Sequence, residues 1–254
     1  MSAGKPVTIN PWALLRRYTP ARIALGRAGP ALPTREVLAF GVAHARARDA
    51  VHLALDVDVL DTQLREDGYS PVHVRSAAAD RATYLTRPDL GRRLDEDAAR
   101  HLVASGRAPD IVVAIEDGLS AVAIQRHAVP MLRALRSIAS ERWTGVPVVV
   151  ATQGRVALGD EIGERLAAQL VVVMIGERPG LSSPDSLGLY VTHAPRVGRT
   201  DAERNCVSNV RPEGLTYAAA AARLDWLVTE ALRRRRTGIA LKDESGVPGP
   251  NVLP

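Results

Sequence analysis

Gly118-Leu119-Ser120-Ala121-Val122 begins like the strand-to-helix turn that presents a nucleophilic serine, but Val122 stands where a closing glycine is needed and would crowd that turn. Gly176-Glu177-Arg178-Pro179-Gly180-Leu181 closes an apolar run as a phosphate loop would, yet it lacks the glycine spacing and the Lys-Ser/Thr of such a loop. Gly26-Arg27-Ala28-Gly29 fails G-x-G-x-x-G and follows no clear strand. None of the six histidines (His44, His52, His73, His101, His127, His193) belongs to H-E-x-x-H or a similar ligand pair. His44, Arg48 and His52 share a helix face at four-residue steps, a spacing that could grip an anion or serve a packing or interface face. Arg233 to Arg236 suits a solvated helix C-terminus. The single cysteine, Cys206, excludes an internal disulfide and a thiolate zinc cage, and by itself reads as a small packed side chain.

The polar groups that remain must be placed by secondary structure. Apolar runs at 111–115, 146–151, 170–175 and 187–192 predict strands buried on both faces of a sheet, and 119–140 and 159–168 are long enough for crossover helices. A last amphipathic helix is predicted over 216–236, with Leu224, Leu227, Val228, Ala231 and Leu232 on its apolar side. The first third is helical and loop-rich. It is broken by Pro11, Pro20, Pro30 and Pro33, with a helical face through Val37, Phe40, His44, Ala47, Val51 and Ala54. The pattern predicts an α/β fold: a Rossmann-like, mostly parallel sheet flanked by helices over 106–244, a helical N-terminal region over 1–105, and a disordered Gly/Pro tail over 245–254. In an open parallel sheet, ligands sit beyond the carboxyl ends of the strands. Four segments are expected to converge there: Glu116-Asp117-Gly118, Gln153-Gly154-Arg155-Val156, Glu177-Arg178-Pro179-Gly180, and the long loop 193–211. Their acceptors, arginines and backbone groups suit a large ligand fringed with amides or phosphates. They contain no acid, base and nucleophile set, which points to binding by this chain, with no catalytic residue of its own.

Composition limits the partners. With 254 residues and 46% hydrophobic residues the chain can bury a sizeable core. No apolar run approaches the eighteen or so residues of a membrane span, and the N-terminus shows no secretory signal, so a cytoplasmic protein with no membrane partner is expected. The formal charge of +5 raises the question of nucleic acid. Arginine supplies almost all of the basic residues, lysine appearing only as Lys5 and Lys242, and aromatics are 4%, so the stacking platform of single-strand and RNA binders is missing and no nucleic-acid partner is expected.

Seven segments in order, 19–29 (TPARIALGRAG), 43–49 (AHARARD), 84–93 (YLTRPDLGRR), 117–120 (DGLS), 176–181 (GERPGL), 201–209 (DAERNCVSN) and 238–243 (GIALKD), resemble the small (light) subunit of ethanolamine ammonia-lyase. The resemblance runs from about Tyr18 to Glu244. It implies an adenosylcobalamin-dependent lyase that converts ethanolamine to acetaldehyde and ammonia by radical chemistry supplied by the cofactor. It also implies a hetero-oligomer in which the large subunit holds the substrate and this chain covers the cobalamin from the other side. Family contacts to cobalamin fall on Val156, Glu177 and Cys206. D-x-H-x-x-G, by which other cobalamin enzymes put a histidine on cobalt, does not occur. The resemblance therefore implies a base-on cofactor with no protein ligand to the metal. Many members carry a longer N-terminal extension that directs them to a bacterial microcompartment, whereas about eighteen residues precede the first matched segment here. Free cytoplasmic enzyme is thus expected beside encapsulation. A non-catalytic Rossmann-like binding or interaction protein is the rival reading, and an Arg-rich nucleic-acid binder the third.

Overall fold

The computed structural model describes residues 7–104 and 106–246. After a 3-10 turn at Pro11–Arg17 the chain forms α1 (Thr34–His52), α2 (Val57–Glu66), β1 (Val72–Arg75), α3 (Arg81–Thr86), α4 (Glu96–His101) and β2 (Ile111–Glu116). It continues through α5 (Ala121–Ile138), α6 (Ser140–Trp143), β3 (Val148–Thr152), α7 (Leu158–Arg165), β4 (Leu170–Gly176), β5 (Leu187–His193), β6 (Asn205–Val210) and α8 (Tyr217–Arg234). The strands make one open sheet in the order β1-β3-β2-β4-β5-β6. Period-two alternation splits the central strands between two cores. Val113, Ile115, Val172 and Met174 pack with α2, α5 and α8, while Val112, Ala114, Val171 and Val173 pack with α7 and the 94–102 segment.

The sheet is parallel from β1 through β4 and antiparallel at β5 and β6. The connectors decide this. A parallel return needs a crossover of a dozen residues or more, which α5 with α6 and then α7 provide, whereas the short 177–186 segment holds no helix and can only fold the chain back on β4. The four expected strands form at their predicted places. Two further strands, β1 and β6, were not predicted. Both are short edge strands with polar residues among the apolar ones (His73 and Arg75; Asn205, Ser208 and Asn209), the composition that blunts a sheet edge and hides it from a search for apolar runs. Hence the segment expected to be helical, 1–105, also lays a strand against β3, and part of the 193–211 loop is β6. The helical face read from Val37 to Ala54 ends short of its last member: α1 stops at His52, and Asp56 starts α2 by accepting from the Val59 N–H at 3.0 Å. Most of the tail for which disorder was expected, 247–254, lies outside the described residues. No helix among the described residues is long and apolar enough to cross a membrane.

Ser120 is fully buried as the N-cap of α5, accepting from the Ala123 N–H at 3.3 Å and donating to the Pro184 carbonyl at 2.8 Å. Both contacts occupy the hydroxyl of the GLS triplet, which is a helix cap and not a presented nucleophile. Ser120→Ala is expected to cost about 1 kcal/mol, read as a lowered urea midpoint at unchanged slope. The glycines on either side serve close approach. Gly118 sits at φ +59°, where a Cβ would lie 2.3 Å from the Gly176 carbonyl oxygen, and a Cβ on Gly176 would lie 2.0 Å from that of Ser120. The end of β4 and the turn out of β2 touch backbone to backbone.

Candidate functional site

Because β2, β3 and β4 are parallel neighbours, their carboxyl ends Glu116, Thr152 and Gly176 stand side by side and the loops that follow them meet. Between these loops opens a cavity of about 430 Å³, lined by Tyr84, Leu119, Arg155, Val156, Glu177 and Tyr190 among others. Val156 and Glu177 are therefore in one wall. Cys206 reaches the same place by a route the sequence did not show. It lies inside β6, directly across from Tyr190 of β5, and paired residues of an antiparallel ladder present their side chains on one face. Val156 and Glu177 thus share one wall, and Cys206 stands beside Tyr190 of that wall without lining the cavity itself.

Two of the four expected segments are placed differently. With β5 antiparallel, His193 pairs with Leu170, the first residue of β4, so the 193–211 segment starts at the opposite edge of the sheet and only its end, past Val210, returns to the carboxyl edge. Glu116 and Asp117 are not a rim: they are 0% and 2% exposed and lie beneath the loops. The face of His44, Arg48 and His52 is exposed on α1. A larger cavity, about 730 Å³, opens around Ile111 and Pro147 at the amino ends of the strands, away from every predicted site residue.

Each wall residue is held by a specific contact. Glu177 accepts the Asn209 N–H through Oε2 at 3.1 Å, which ties the loop after β4 to β6; among the described residues no hydrogen bond engages Oε1. The Glu177 N–H donates to Ser186 O at 3.0 Å. The Arg155 N–H donates to Gly91 O at 2.9 Å, and its Nη2 donates to Tyr84 O at 2.9 Å. The Tyr84 ring sits between two guanidiniums, that of Arg155 at 4.5 Å and that of Arg81 at 4.7 Å from the ring centroid, a cation–π arrangement that fixes both arginines. Burial raises the Tyr84 and Tyr190 hydroxyls above the ordinary phenol range; Cys206 is an exposed residue of β6 rather than the packed side chain expected, but desolvation beside Tyr190 raises its thiol as well. These groups stay protonated at neutral pH, so the wall offers hydroxyl and thiol donors, a guanidinium and a free carboxyl oxygen rather than a thiolate nucleophile.

That donor set fits the amide-fringed periphery of a corrin. No histidine lines the cavity. Tyr84, Arg155 and Tyr190 were not singled out from the sequence. Arg155 stood within a strand-end segment, but Tyr84 belongs to a separate helix, α3, and no spacing connects it to β3 or β5. Beyond the wall, the fully buried Arg204, just before β6, donates to both carboxyl oxygens of Asp160 on α7 at 2.6 and 2.7 Å.

Residues 9–242 match the family described as "Ethanolamine ammonia-lyase light chain (EutC)". The chain is 56% identical over 247 residues to the ethanolamine ammonia-lyase small subunit of Ralstonia nicotianae, covering 95% of this chain and 92% of the relative. It is 57% identical over 252 residues to that of Azotobacter vinelandii, covering 97% and 93%. With that of Pseudomonas syringae pv. tomato it shares 58% identity over 241 residues, covering 93% and 84%.

Proposed function

Since the chain belongs to the ethanolamine ammonia-lyase small-subunit family, we propose that its Rossmann-like sheet edge forms one wall of an adenosylcobalamin site that a large subunit completes. The observation that carries this reading is convergence: Val156 and Glu177, from two separate segments, line one cavity beyond the carboxyl ends of β3 and β4, and Cys206 of β6 pairs with Tyr190, which lines it too. When bound, the cofactor supplies the radical chemistry that turns ethanolamine into acetaldehyde and ammonia, which amino-acid side chains cannot do. This chain's residues bind and orient. Glu177 Oε1 accepts from corrin amides, the Arg155 guanidinium donates to their carbonyls, and Val156 excludes water. Cys206 contributes a protonated thiol and backbone groups, and neither it nor any other side chain of this chain coordinates cobalt.

The partner surface is the N-terminal region. Ile9, Trp12, Leu14, Tyr18, Leu38 and Phe40 are all exposed, Trp12 to 67%. Large apolar side chains gathered in one stretch of a water-soluble fold mark an interaction surface, and the large subunit is the occupant that the family provides. Substrate then sits in that subunit, in keeping with the lack of an acid, base and nucleophile set here.

Reconstitution tests this. The purified chain with adenosylcobalamin and ethanolamine should yield no acetaldehyde, the mixture with the large subunit should, and the assembled complex should bind the cofactor with the absorption spectrum of its base-on form. Turnover by the chain alone, or a spectrum with a protein imidazole on cobalt, would sink the proposal.

A further inference from the structure

Glu116 is the last residue of β2, at the centre of the sheet, and its side chain is fully buried with no well-formed hydrogen bond to either carboxyl oxygen. The 153–159 loop is wrapped onto it. A Cβ on Gly154 would lie 2.8 Å from Glu116 Oε2 and 3.0 Å from its Cβ and Cδ, and one on Gly159 would lie 3.5 Å from Oε1. Gly154 thus lets the backbone close on this carboxyl, whereas Gly159 makes room chiefly for Val173, and the neighbouring Asp117 fixes the same loop by accepting the Gly154 N–H at 3.0 Å. At the crest of the loop stand Arg155 and Val156, which face the cavity.

The groups around Glu116 do not favour a negative charge. Asp117 follows it just past the end of β2, Asp160 approaches from α7, and Arg204, whose charge opposes theirs, is already held by Asp160. Burial, then the carboxyls of Asp117 and Asp160, raise its pKa well above the ordinary carboxylate range, with only Arg204 and a contact from the Gly159 N–H opposing. An unpaired charge here would be costly.

Resting on the cofactor-wall reading above, we propose that Glu116 is a positioning residue: an uncharged carboxylic acid around which the 153–159 loop is shaped, setting Val156 and Arg155 for the corrin. It touches neither cofactor nor substrate. Its size and neutrality matter, and its negative charge does not.

Three variants in the assembled complex test this: Glu116→Gln, which keeps shape and neutrality, Glu116→Ala, which empties the space under Gly154, and Gly154→Ala, which pushes the loop off an intact carboxyl. Two readouts are needed, adenosylcobalamin affinity by absorbance titration and, without cofactor, hydrogen exchange at the Arg155 and Leu158 amides, which donate to Gly91 O and Arg155 O. Glu116→Gln should match wild type in both. Glu116→Ala and Gly154→Ala should speed exchange at those amides and weaken cofactor binding about tenfold or more, the equivalent of about 1.4 kcal/mol. Should Glu116→Ala not assemble, Gly154→Ala and Glu116→Gln still decide. Wild-type exchange in both alanine variants overturns the positioning role, and a Gln variant as impaired as the alanine ones overturns the neutral acid. Exchange that responds while cofactor affinity does not in any variant, Glu177→Ala included, instead overturns the wall reading on which the proposal rests.

Discussion

Arg204→Met is expected to destabilise the chain by about 3–5 kcal/mol at neutral pH, because it leaves the Asp160 carboxylate buried without its cation. Both side chains are almost inaccessible, 2% and 1% exposed, and both carboxyl oxygens take a guanidinium hydrogen bond. The pair is not a net gain by the same measure: burial pushes Asp160 up to about 6 even with Arg204 present. Replacing both partners, Arg204→Met with Asp160→Leu, should therefore recover most of the loss. The pH dependence has a definite sign. The folded pKa lies above the ordinary 3.8, so the stability linked to this group is complete below that value and is lost as pH rises through about 6. The cost of the single substitution should shrink as pH falls below 6, where Asp160 takes up its proton in wild type as well. Urea unfolding followed by circular dichroism at pH 5 and 7.5 measures it. A cost equal at both values, or a double variant no better than the single, would falsify the account. The effect reaches the site, since Arg204 also donates to Arg199 O at 2.7 Å and so pins the approach to β6 and Cys206 onto α7.

Why some of this could be read from the chain and some could not follows from what each element buries. The strands β2, β3 and β4 lie between two layers of helices, so their side chains are apolar on both faces and the runs announce themselves. The strands β1 and β6 have one neighbour and half their residues in water, and His73 or Asn209 looks like a loop residue until a partner strand is known. Strand direction is not a property of the strand at all: Leu187 to His193 has the same texture as Leu170 to Gly176, and only the lack of a helix between them turns β5 around. That reversal carried His193 away from the site and let Cys206 approach it from within a strand. Residue type also says little about depth. Glu116-Asp117-Gly118 has the composition of a ligand-facing rim, yet the chain closes over it, because Gly154, distant in sequence, makes room for the Glu116 carboxyl. Tyr84 opens one of the segments that carry the resemblance, but nothing in the sequence joined it to this wall, its place beside Arg81 and Arg155 being set by how α3 docks beside the end of β3.

Glu177→Ala should weaken adenosylcobalamin binding to the assembled complex by about 1–3 kcal/mol, roughly fivefold to a hundredfold, and should also lower the melting temperature. The two losses have different causes. The first is removal of the acceptor that the wall presents to corrin amides. The second is the release of the Asn209 N–H, which Oε2 accepts at 3.1 Å, and with it the brace between the loop after β4 and the strand that carries Cys206. Glu177→Gln separates them: its amide oxygen can keep the Asn209 hydrogen bond while its NH₂ replaces the free acceptor with a donor. The Gln variant should melt with the wild type and still bind cofactor more weakly, and Cys206→Ser, which keeps the backbone and a small polar tip, should be milder than either. Absorbance titration beside thermal unfolding distinguishes the outcomes. If Glu177→Gln binds as wild type while Glu177→Ala loses only melting temperature, Glu177 is a brace alone. The acceptor that meets the corrin must then lie elsewhere in the wall.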